Sequence, residues 1–531
     1  MKNKKLMITA ALLAASISLA GCGGGYSAST TRALYETAQM NEERLYAADI
    51  AVGDTAPELE YAMPDFNTEE YSAITENTFM SAAADPLSTF SIDVDTASYT
   101  NIRRMINNGQ RIPADAVRIE EMINYFHYDY PEPKPGEPFS VNTEMTDCPW
   151  NSDTKLLRIG LKAEDIDLSQ RRPMNLVFLI DVSGSMYSYD KLPLVQKSFS
   201  ILTEQLTPQD RISIVTYADG DRVVLEGADG NDRQKILDAI NSLEAGGSTA
   251  GSAGIQRAYE IAEKYFIGGG NNRIILATDG DLNVGVSSEA ELKELVTKKR
   301  ESGVYLSVLG FGTGNIKDNK METLADNGNG MYSYIDSERE ARKVLVEEMS
   351  GTLVTVAKDV KIQVEFNPAY IKGYRLIGYE NRALSAEDFS DDKKDAGEIG
   401  AGHTVTALYE IADTNSEMEF ASSGLKYSDA AALGTENGEL LTVSVRYKEP
   451  DGDESKLLAY PVTDSAYRAE MSDDMAFASA VAEFGMLLRD SQYKGTADKD
   501  SVLSLISGRD IAYDEYKAEF AQLVKSYDKN S

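Results

Sequence analysis

Apolar runs alternate with amphipathic stretches through the middle of the chain. Buried strands are predicted at residues 175–180, 211–217, 222–225, 273–277, 305–309 and 331–335. Helical patterns lie between most of them; Val195, Phe199, Leu202 and Leu206, for example, fall on a single helix face. Strands that are apolar on both faces and alternate with helices are typical of a mostly parallel sheet covered on both sides. The pattern predicts a doubly wound α/β domain over residues 172–345.

The regions on either side of this block have a different pattern, in which short strands follow one another. Strands are predicted at residues 90–94, 139–145 and 155–161 before the block, and at 360–366, 404–409, 440–447 and 456–460 after it. Helices are predicted at residues 95–107, 114–128, 472–489 and 498–527. We expect an N-terminal flanking region of helices and strands (residues 86–170) and a C-terminal region, β-rich and then helical (353–531). One hypothesis is that the two flanks pair, with the α/β domain inserted between them.

The chain length, the net charge and the numbers of histidine and cysteine exclude several classes of protein and partner. A chain of 531 residues is too long for one ordinary domain. The 52 Lys and Arg residues against 86 Asp and Glu residues give a formal charge of −34. Phosphate backbones are bound by clustered cations, so nucleic acid is not expected as a partner. With only two histidines and two cysteines, the chain cannot build a His/Cys-rich metal cluster or a multi-disulfide scaffold.

The first residues have the pattern of an export signal. Three lysines precede an uncharged apolar run at residues 6–20, which is short for a membrane-spanning helix. The tetrapeptide that ends at Cys22 resembles the lipobox of bacterial lipoproteins. That resemblance implies cleavage after residue 21 and acylation of Cys22, hence a lipid-anchored protein of the cell envelope. It would lie at the outer membrane if the lineage has one, and otherwise on the outer face of the cell membrane. The alternative is an ordinary signal peptide with a chance cysteine.

Residues 22–85 lack a sustained strand pattern and are rich in small and acidic side chains. Mutual repulsion and low hydrophobicity favour an extended chain. We therefore predict a disordered acidic tether between the membrane anchor and the folded part.

Oxygen-bearing side chains follow two of the predicted α/β strands. Asp181, Ser183 and Ser185 come after the first strand, and Asp279 comes after the strand at residues 273–277. A glycine-rich stretch with two hydroxyl residues, 246–251, lies between them. Ligands of doubly wound sheets bind outside the carboxyl ends of the strands, where the strand order reverses. Carboxylate and hydroxyl oxygens suit a hard cation, Mg²⁺ most naturally.

The same residues resemble the metal-ion-dependent adhesion site (MIDAS) of von Willebrand factor type A (VWA) domains. The motif is Asp-x-Ser-x-Ser, a later Thr in a glycine-rich loop and a later Asp-Gly, here Asp181, Ser183, Ser185, Thr249 and Asp279. The resemblance implies that the three hydroxyl residues are direct or near-direct ligands, and that the aspartates act directly or through water. The flanking regions resemble those of bacterial VWA lipoproteins of the YfbK type.

A MIDAS-type site implies a binding protein, not an enzyme. It would hold Mg²⁺, or else Mn²⁺ or Ca²⁺, and engage a protein partner whose carboxylate completes the coordination. The loops expected to surround the site are residues 186–191, 218–221 and 281–287. Two other functions stay open: an envelope hydrolase that uses the domain as a holder, and a structural factor in envelope assembly. The aspartates could also be no more than helix caps and turn residues.

Other motifs carry weaker hypotheses. Residues 93–96 resemble the nucleophile loop of haloacid-dehalogenase-like phosphatases, although Asp95 is better read as a helix cap. Ser248 lies in a near match to a nucleophile elbow, but the preceding segment is predicted to be helical. Cys148 with His127 or His403 could form a thiol dyad. The stretch 326–330 has acidic and glycine residues but lacks the ligand spacing of a calcium loop.

Overall fold

The computed structural model describes residues 67–92, 95–165, 171–248, 251–280, 289–348, 354–394, 396–420, 435, 437–450 and 452–528. All of them belong to one compact unit, residues 66–531. The predicted signal, Cys22 and most of the predicted tether lie outside the described residues. No helix in the described ranges is long and apolar enough to cross a membrane.

The N-terminal part contributes four strands and two helices. They are β1 (Met80–Ser81), β2 (Leu87–Ser91), α1 (Ala97–Asn107), α2 (Ile119–Asn124), β3 (Phe139–Asp147) and β4 (Lys155–Ala163).

The central part alternates strands and helices, as predicted. Its elements are β5 (Met174–Asp181), α3 (Leu192–Thr203), β6 (Arg211–Tyr217), β7 (Asp221–Asp229), α4 (Arg233–Asn241), α5 (Gly251–Lys264), β8 (Asn271–Thr278), α6 (Glu289–Arg300), β9 (Val304–Phe311), α7 (Asp318–Asn327), β10 (Tyr332–Ile335) and α8 (Glu338–Arg342). A short 3₁₀ turn, Gly184–Tyr187, follows β5, and a π-helical turn, Lys343–Glu347, continues α8.

The C-terminal part is β-rich and then helical. Its elements are β11 (Thr355–Phe366), β12 (Ile371–Ile377), β13 (Ala383–Leu384), α9 (Ala386–Ser390), β14 (Gly397–Gly400), β15 (Thr404–Asp413), β16 (Glu439–Lys448), β17 (Ser455–Thr463), α10 (Asp473–Arg489), α11 (Lys499–Ile506) and α12 (Glu515–Ser526).

The central sheet has the order β10-β9-β8-β5-β6-β7, and every pair is parallel except β6 with β7. Strand β5 is buried along its whole length because both of its faces are covered. Val177 and Leu179 belong to one hydrophobic core, whereas Phe178 and Ile180 belong to the core on the other face. This alternation explains the continuous apolar run in the sequence and confirms the predicted doubly wound α/β fold.

The two flanking regions pair with each other around the central domain. β4 is antiparallel to β15 from the C-terminal part, within a sheet of order β1-β12-β15-β4-β3. β2 is likewise antiparallel to β11, within a second sheet of order β13-β2-β11-β16-β17. The hypothesis that the flanks pair is therefore confirmed, and the α/β domain is an insertion in a β-rich module.

The two flanking sheets enclose one hydrophobic core, and helices cover the outer face of one of them. Val405 and Tyr409 of β15 point into the core between the sheets, together with Ile362 of β11. Leu408, the neighbour of Tyr409, points to the other face and belongs to the core that also contains Phe477 of α10. The five-stranded sheet is therefore buried on both faces.

The predicted tether extends too far into the folded part. Residues 67–85 are packed against the rest of the chain: Glu70 forms a β-bridge with Lys317, and β1 pairs with β12. Two of the acidic side chains that suggested repulsion have cationic partners here. Glu69 forms an ion pair with Arg104 at 3.0 Å, and Glu70 forms one with Lys317 at 2.6 Å. The number of charges in a stretch of sequence does not reveal ion pairs with residues far away in the chain.

Three local predictions were also wrong. The helix predicted at residues 498–527 is two helices, α11 and α12, separated by a turn at Gly508, whose φ is +75°. The helix predicted at 114–128 is a 3₁₀ turn followed by the short α2. Asp95 does not cap α1, whose N-cap residue is Thr96; its carboxylate instead accepts from the backbone N–H of Tyr332 at 2.7 Å.

Candidate metal centre

The candidate metal centre is located where β5 and β8 end side by side. These two strands are parallel neighbours, paired from Met174 with Asn271 to Ile180 with Ala277. Asp181 is the last residue of β5, and Asp279 directly follows β8. Both aspartates are fully buried. The parallel register therefore brings two carboxylates to the same edge of the sheet, as the sequence predicted.

The carboxylate of Asp181 accepts hydrogen bonds from three residues. Oδ1 accepts from the backbone N–H of Ser183 at 2.9 Å. Oδ2 accepts from the hydroxyls of Tyr217 and Thr278, each at 3.2 Å. Burial raises the pKa of Asp181 to about 6, opposed by the Ser183 hydrogen bond and reinforced by the negative charge of Asp279. The site thus holds excess negative charge that a cation would relieve.

Two serine hydroxyls lie beside these carboxylates. The Oγ atoms of Ser183 and Ser185 are 3.0 Å apart. Ser185 also hydrogen-bonds to the carboxylate of Asp279. The tight turn after β5 places these residues, because the 3₁₀ turn begins at Gly184. The chain thereby brings together four of the five residues of the motif.

Lys191 supplies a cation that the sequence analysis did not assign to the site. Its ammonium lies 2.9 Å from Oδ2 of Asp279 and donates to Oδ1 of Asn315 at 2.8 Å. Burial acts to raise the pKa of Asp279, but the charge of Lys191 and hydrogen bonds from Asn315, Ser185 and Lys191 outweigh it and hold the pKa below its usual range.

The stem of Lys191 fits closely against Gly312. That glycine has a φ of +78°, and a Cβ there would come within 2.3 Å of the lysine Cγ. Glycine is therefore needed for both the backbone turn and the space. Position 191 falls inside one of the loops expected around the site, but the sequence did not show that its ammonium turns inwards.

The glycine-rich loop is anchored to the turn after β5. The N–H of Gly184 donates to the carbonyl of Gly247 at 3.0 Å, and the N–H of Gly246 donates to that of Val182 at 2.8 Å. Thr249, the fifth residue of the motif, lies outside the described residues. The loop residues that lead to it are thus attached to the turn that carries Ser183.

Asp219 also holds the glycine-rich loop in place. Its Oδ1 accepts from the backbone N–H and the hydroxyl of Ser248, at 2.7 and 2.6 Å. Gly247 has a φ of +83°, and a Cβ there would come within 2.6 Å of the Asp219 carboxylate. Asp219 lies in one of the loops expected around the site, but nothing in the sequence connects it to Ser248.

The loop after β9 is fixed by the segment that precedes β1. The N–H groups of Thr68 and Glu70 donate to the carbonyls of Gly314 and Ile316, at 2.7 and 2.9 Å. Asn315, which accepts from Lys191, lies between these two points. The segment at residues 68–70 therefore supports one wall of the candidate centre.

The structure describes two of the three loops that were expected to surround the site. Residues 186–191 carry two of the most exposed aromatic side chains in the described chain, Tyr187 (83% exposed) and Tyr189 (87% exposed). Residues 218–221 contain Asp219. Residues 281–287 lie outside the described residues.

Of the residues named in the enzymatic hypotheses, Cys148 is placed unfavourably for catalysis. Cys148 is buried in the core, and burial raises the pKa of its thiol to about 12, so the thiolate is scarce at neutral pH. The hydroxyl of Ser248 donates to Asp219. His127 lies 3.3 Å from Glu348, and burial lowers the pKa of His403 to about 4. Asp93 lies outside the described residues.

The donor chemistry of the centre fits a hard divalent cation. Two buried carboxylates and two hydroxyls provide oxygen ligands only, the set that Mg²⁺ and Mn²⁺ prefer. Among the described residues, no group of three or more His, Cys, Asp or Glu side chains is arranged to hold a metal ion. The mixed carboxylate and hydroxyl set is thus the metal-site candidate of this part of the chain.

Comparison with protein families defines the class of the central domain. The family described as "von Willebrand factor type A domain" matches residues 175–348, and the family described as "von Willebrand factor" matches residues 65–158. The fold and these matches establish a protein with a VWA domain. The family described as "Uncharacterized protein YfbK, C-terminal" matches residues 351–529.

Individual relatives identify the family more closely. The chain is 43% identical to YfbK of Escherichia coli (strain K12) over 474 residues, which is 87% of this chain and 81% of that protein. The chain belongs to the YfbK family. It is also 30% identical over 209 residues to the protein sll0103 of Synechocystis, covering 38% of this chain and 47% of that protein. A solved structure of a von Willebrand factor type A protein from Catenulispora acidiphila is 17% identical, with a TM-score of 0.43, covering 75% of this chain and 91% of that chain.

Proposed function

We propose that this protein is an envelope-anchored binding protein whose VWA domain coordinates a divalent cation and engages a protein partner through it. Asp181, Ser183, Ser185, Thr249 and Asp279 would hold the cation, which is Mg²⁺, or else Mn²⁺ or Ca²⁺. The observation that carries the proposal is the convergence of two buried carboxylates and two hydroxyls at the ends of β5 and β8.

The charge of the centre supports an anionic partner group. Two aspartates and Lys191 sum to −1, so a divalent cation would leave the centre with +1. A bound cation of this kind supplies an electrophilic position that accepts a carboxylate oxygen. An exposed Glu or Asp of a partner would therefore be attracted to the centre, although the chain as a whole is acidic.

The surface next to the centre has the chemistry of an interface. Tyr187 ends the 3₁₀ turn that contains Ser185, and Tyr189 lies two residues further on; both side chains are exposed. Tyrosine is enriched at protein interfaces because its ring is apolar and rigid while its hydroxyl can hydrogen-bond. We infer that a partner carboxylate enters the centre while neighbouring partner residues pack on these rings.

Metal-dependent capture tests this function. The purified protein is incubated with envelope extract and cross-linked, in Mg²⁺ or in EDTA. Wild type is expected to retain a specific protein in Mg²⁺ and lose it in EDTA, and Asp279→Asn is expected to lose it in both. Asp238→Asn, an exposed carboxylate on α4, is the matched control and should behave as wild type. Recovery of the same proteins in Mg²⁺ and EDTA would contradict the proposal.

The lipid anchor at Cys22 is a separate part of the proposal. Its support is the apolar run at residues 6–20 followed by the lipobox-like tetrapeptide. Mass spectrometry of the mature N-terminus should find an acylated Cys22 as the first residue, and Cys22→Ala should abolish membrane association. An unmodified cysteine in a membrane-free fraction would exclude the anchor without affecting the metal centre.

A further inference from the structure

A polar cavity of about 260 Å³ lies where the α/β domain meets the β-rich module. Arg273 of β8 and the turn at residues 326–331 line it from the α/β domain, and Thr355 of β11 and the residues of β14 line it from the module. Arg273 is near the amino end of β8, whereas Asp279 follows the carboxyl end. The cavity and the candidate metal centre are thus at opposite ends of one strand.

Arg273 is buried on the cavity wall, where its guanidinium carbon lies 5.6 Å from the centroid of the Tyr305 ring. It is 3% exposed. Its Nη1 donates to Oγ of Ser307 at 2.6 Å, and its Nε has no hydrogen-bond partner in the described chain. None of the ion pairs among the described residues includes Arg273. Burial lowers the pKa of its guanidinium, and the negative charge of Glu398, also on the cavity wall, acts in the opposite direction.

Burial of a charged side chain without an ion-pair partner is unfavourable. Arg273 cannot avoid this by losing its proton, because arginine stays charged in proteins. Of the two other cationic side chains on the cavity wall, one is already in ion pairs and the other is not. Arg382 is engaged by Asp95 at 3.1 Å and by Asp326 at 2.8 Å. Lys293 of α6 is exposed at the cavity and belongs to none of the described ion pairs. Two cations, Arg273 and Lys293, are therefore available to an anion.

We propose that this cavity binds a small molecule whose oxyanion group, a carboxylate or a phosphate, sits on Arg273. A guanidinium presents parallel N–H donors that match either group. Lys293 would add a second positive charge from the rim. Because Glu398 lines the same cavity, the rest of the ligand carries hydrogen-bond donors such as hydroxyl or ammonium groups. Small hydroxy acids, amino acids and phosphate monoesters have this chemistry, and the volume restricts the ligand to that size.

Thermal unfolding of the purified protein in EDTA tests the proposal without involving the metal centre. The probes are lactate, L-alanine, inorganic phosphate and glycerol phosphate, each against sodium chloride at equal ionic strength. At ten times its Kd, a bound probe is expected to raise the melting temperature by about 2–4 °C. A response to lactate or alanine alone would assign a carboxylate ligand, and a response to the two phosphates alone would assign a phosphate ligand.

Variants place the ligand on Arg273. Arg273→Gln keeps most of the side-chain volume but removes the charge, and it should abolish the shift. The exposed Arg222 of β7 provides the matched control, and Arg222→Gln should keep the shift. Lys293→Glu, on the surface, should fold normally and raise the Kd about tenfold; it keeps the test decisive if Arg273→Gln does not fold. Absence of any shift beyond the chloride control, or an undiminished shift in the Arg273 or Lys293 variant, would overturn the proposal.

Discussion

The ammonium of Lys191 lies 2.9 Å from Oδ2 of Asp279, and both side chains are buried. Without a divalent cation, Lys191 is the counter-charge that allows Asp279 to stay ionised. With a cation bound, the same ammonium would repel it. Lys191 therefore stabilises the metal-free protein and, if the proposed cation binds, would limit the affinity for it.

Lys191→Met separates these two effects. Removal of one partner of a buried ion pair costs about 3–5 kcal/mol, so the metal-free variant should be less stable by about that amount. Its metal affinity should rise about tenfold, since one repelling charge near the cation is gone. Chemical denaturation in EDTA and in Mg²⁺ measures both quantities.

Lys197→Met serves as the control for this prediction. Lys197 forms an ion pair with Glu338 on the surface, where both side chains are more than half exposed. Such a pair contributes about 0–1 kcal/mol, so stability and metal affinity should stay close to wild type. Equal or weaker metal binding by Lys191→Met would show that the ammonium does not oppose the cation.

Asp219→Ala should weaken metal binding although Asp219 is not among the proposed ligands. Its carboxylate holds the glycine-rich loop through Ser248, directly before Thr249. Residues that orient metal ligands typically contribute about 10- to 100-fold in affinity. We expect at least a tenfold rise in the Kd for Mn²⁺, measured by calorimetric titration.

Unfolding of Asp219→Ala in EDTA is the complementary measurement. Because Asp219 is exposed, water can replace its hydrogen bonds, and the metal-free stability should stay close to that of wild type. Unchanged Mn²⁺ affinity would mean that the loop holding Thr249 does not depend on Asp219.

The burial of Glu483 predicts that the stability of the protein depends on pH, independently of the metal centre. This carboxyl, on α10, is fully buried; Oε2 accepts from Ser501 at 3.2 Å, and Oε1 has no hydrogen-bond partner in the described ranges. Burial raises its pKa to about 7 from an ordinary value of 4.5, with the Ser501 hydrogen bond acting against the shift. Between these two values the folded state holds a proton that the unfolded state has lost, so stability falls as pH rises.

Glu483→Gln should remove this dependence. At pH 8 the variant should be more stable than wild type by about 3 kcal/mol, and near pH 4.5 the difference should disappear. Glu470→Gln, an exposed position shortly before the same helix, is the control and should have no such effect. Parallel pH profiles for wild type and Glu483→Gln would show that this carboxyl is not protonated in the folded protein.

Local sequence patterns predicted the α/β fold because their physical basis is local. Phe178 and Val177 are apolar in succession since β5 is covered on both faces, and strand neighbours in a doubly wound sheet follow from topology. The convergence of Asp181 and Asp279 could therefore be predicted from their positions after two strands.

The contacts that the sequence did not reveal depend on pairs far apart in the chain. Lys191 and Asp279 are separated by 88 positions, and Glu69 and Arg104 by 35. A count of charges over residues 22–85 suggests repulsion, because the cationic partners of these acidic residues lie outside that stretch of sequence. The same limitation hides Arg273, whose significance comes from the β-rich module packed against the amino end of its strand.

The most direct test of the central claim is the melting temperature of the purified protein in EDTA and in Mg²⁺ or Mn²⁺, for wild type and Asp279→Asn. A cation at ten times its Kd should raise the wild-type value by about 2–4 °C. The variant, which keeps the shape of the side chain but loses its charge, should not respond. A wild type that does not respond, or a variant that responds equally, would contradict a cation held between Asp181 and Asp279.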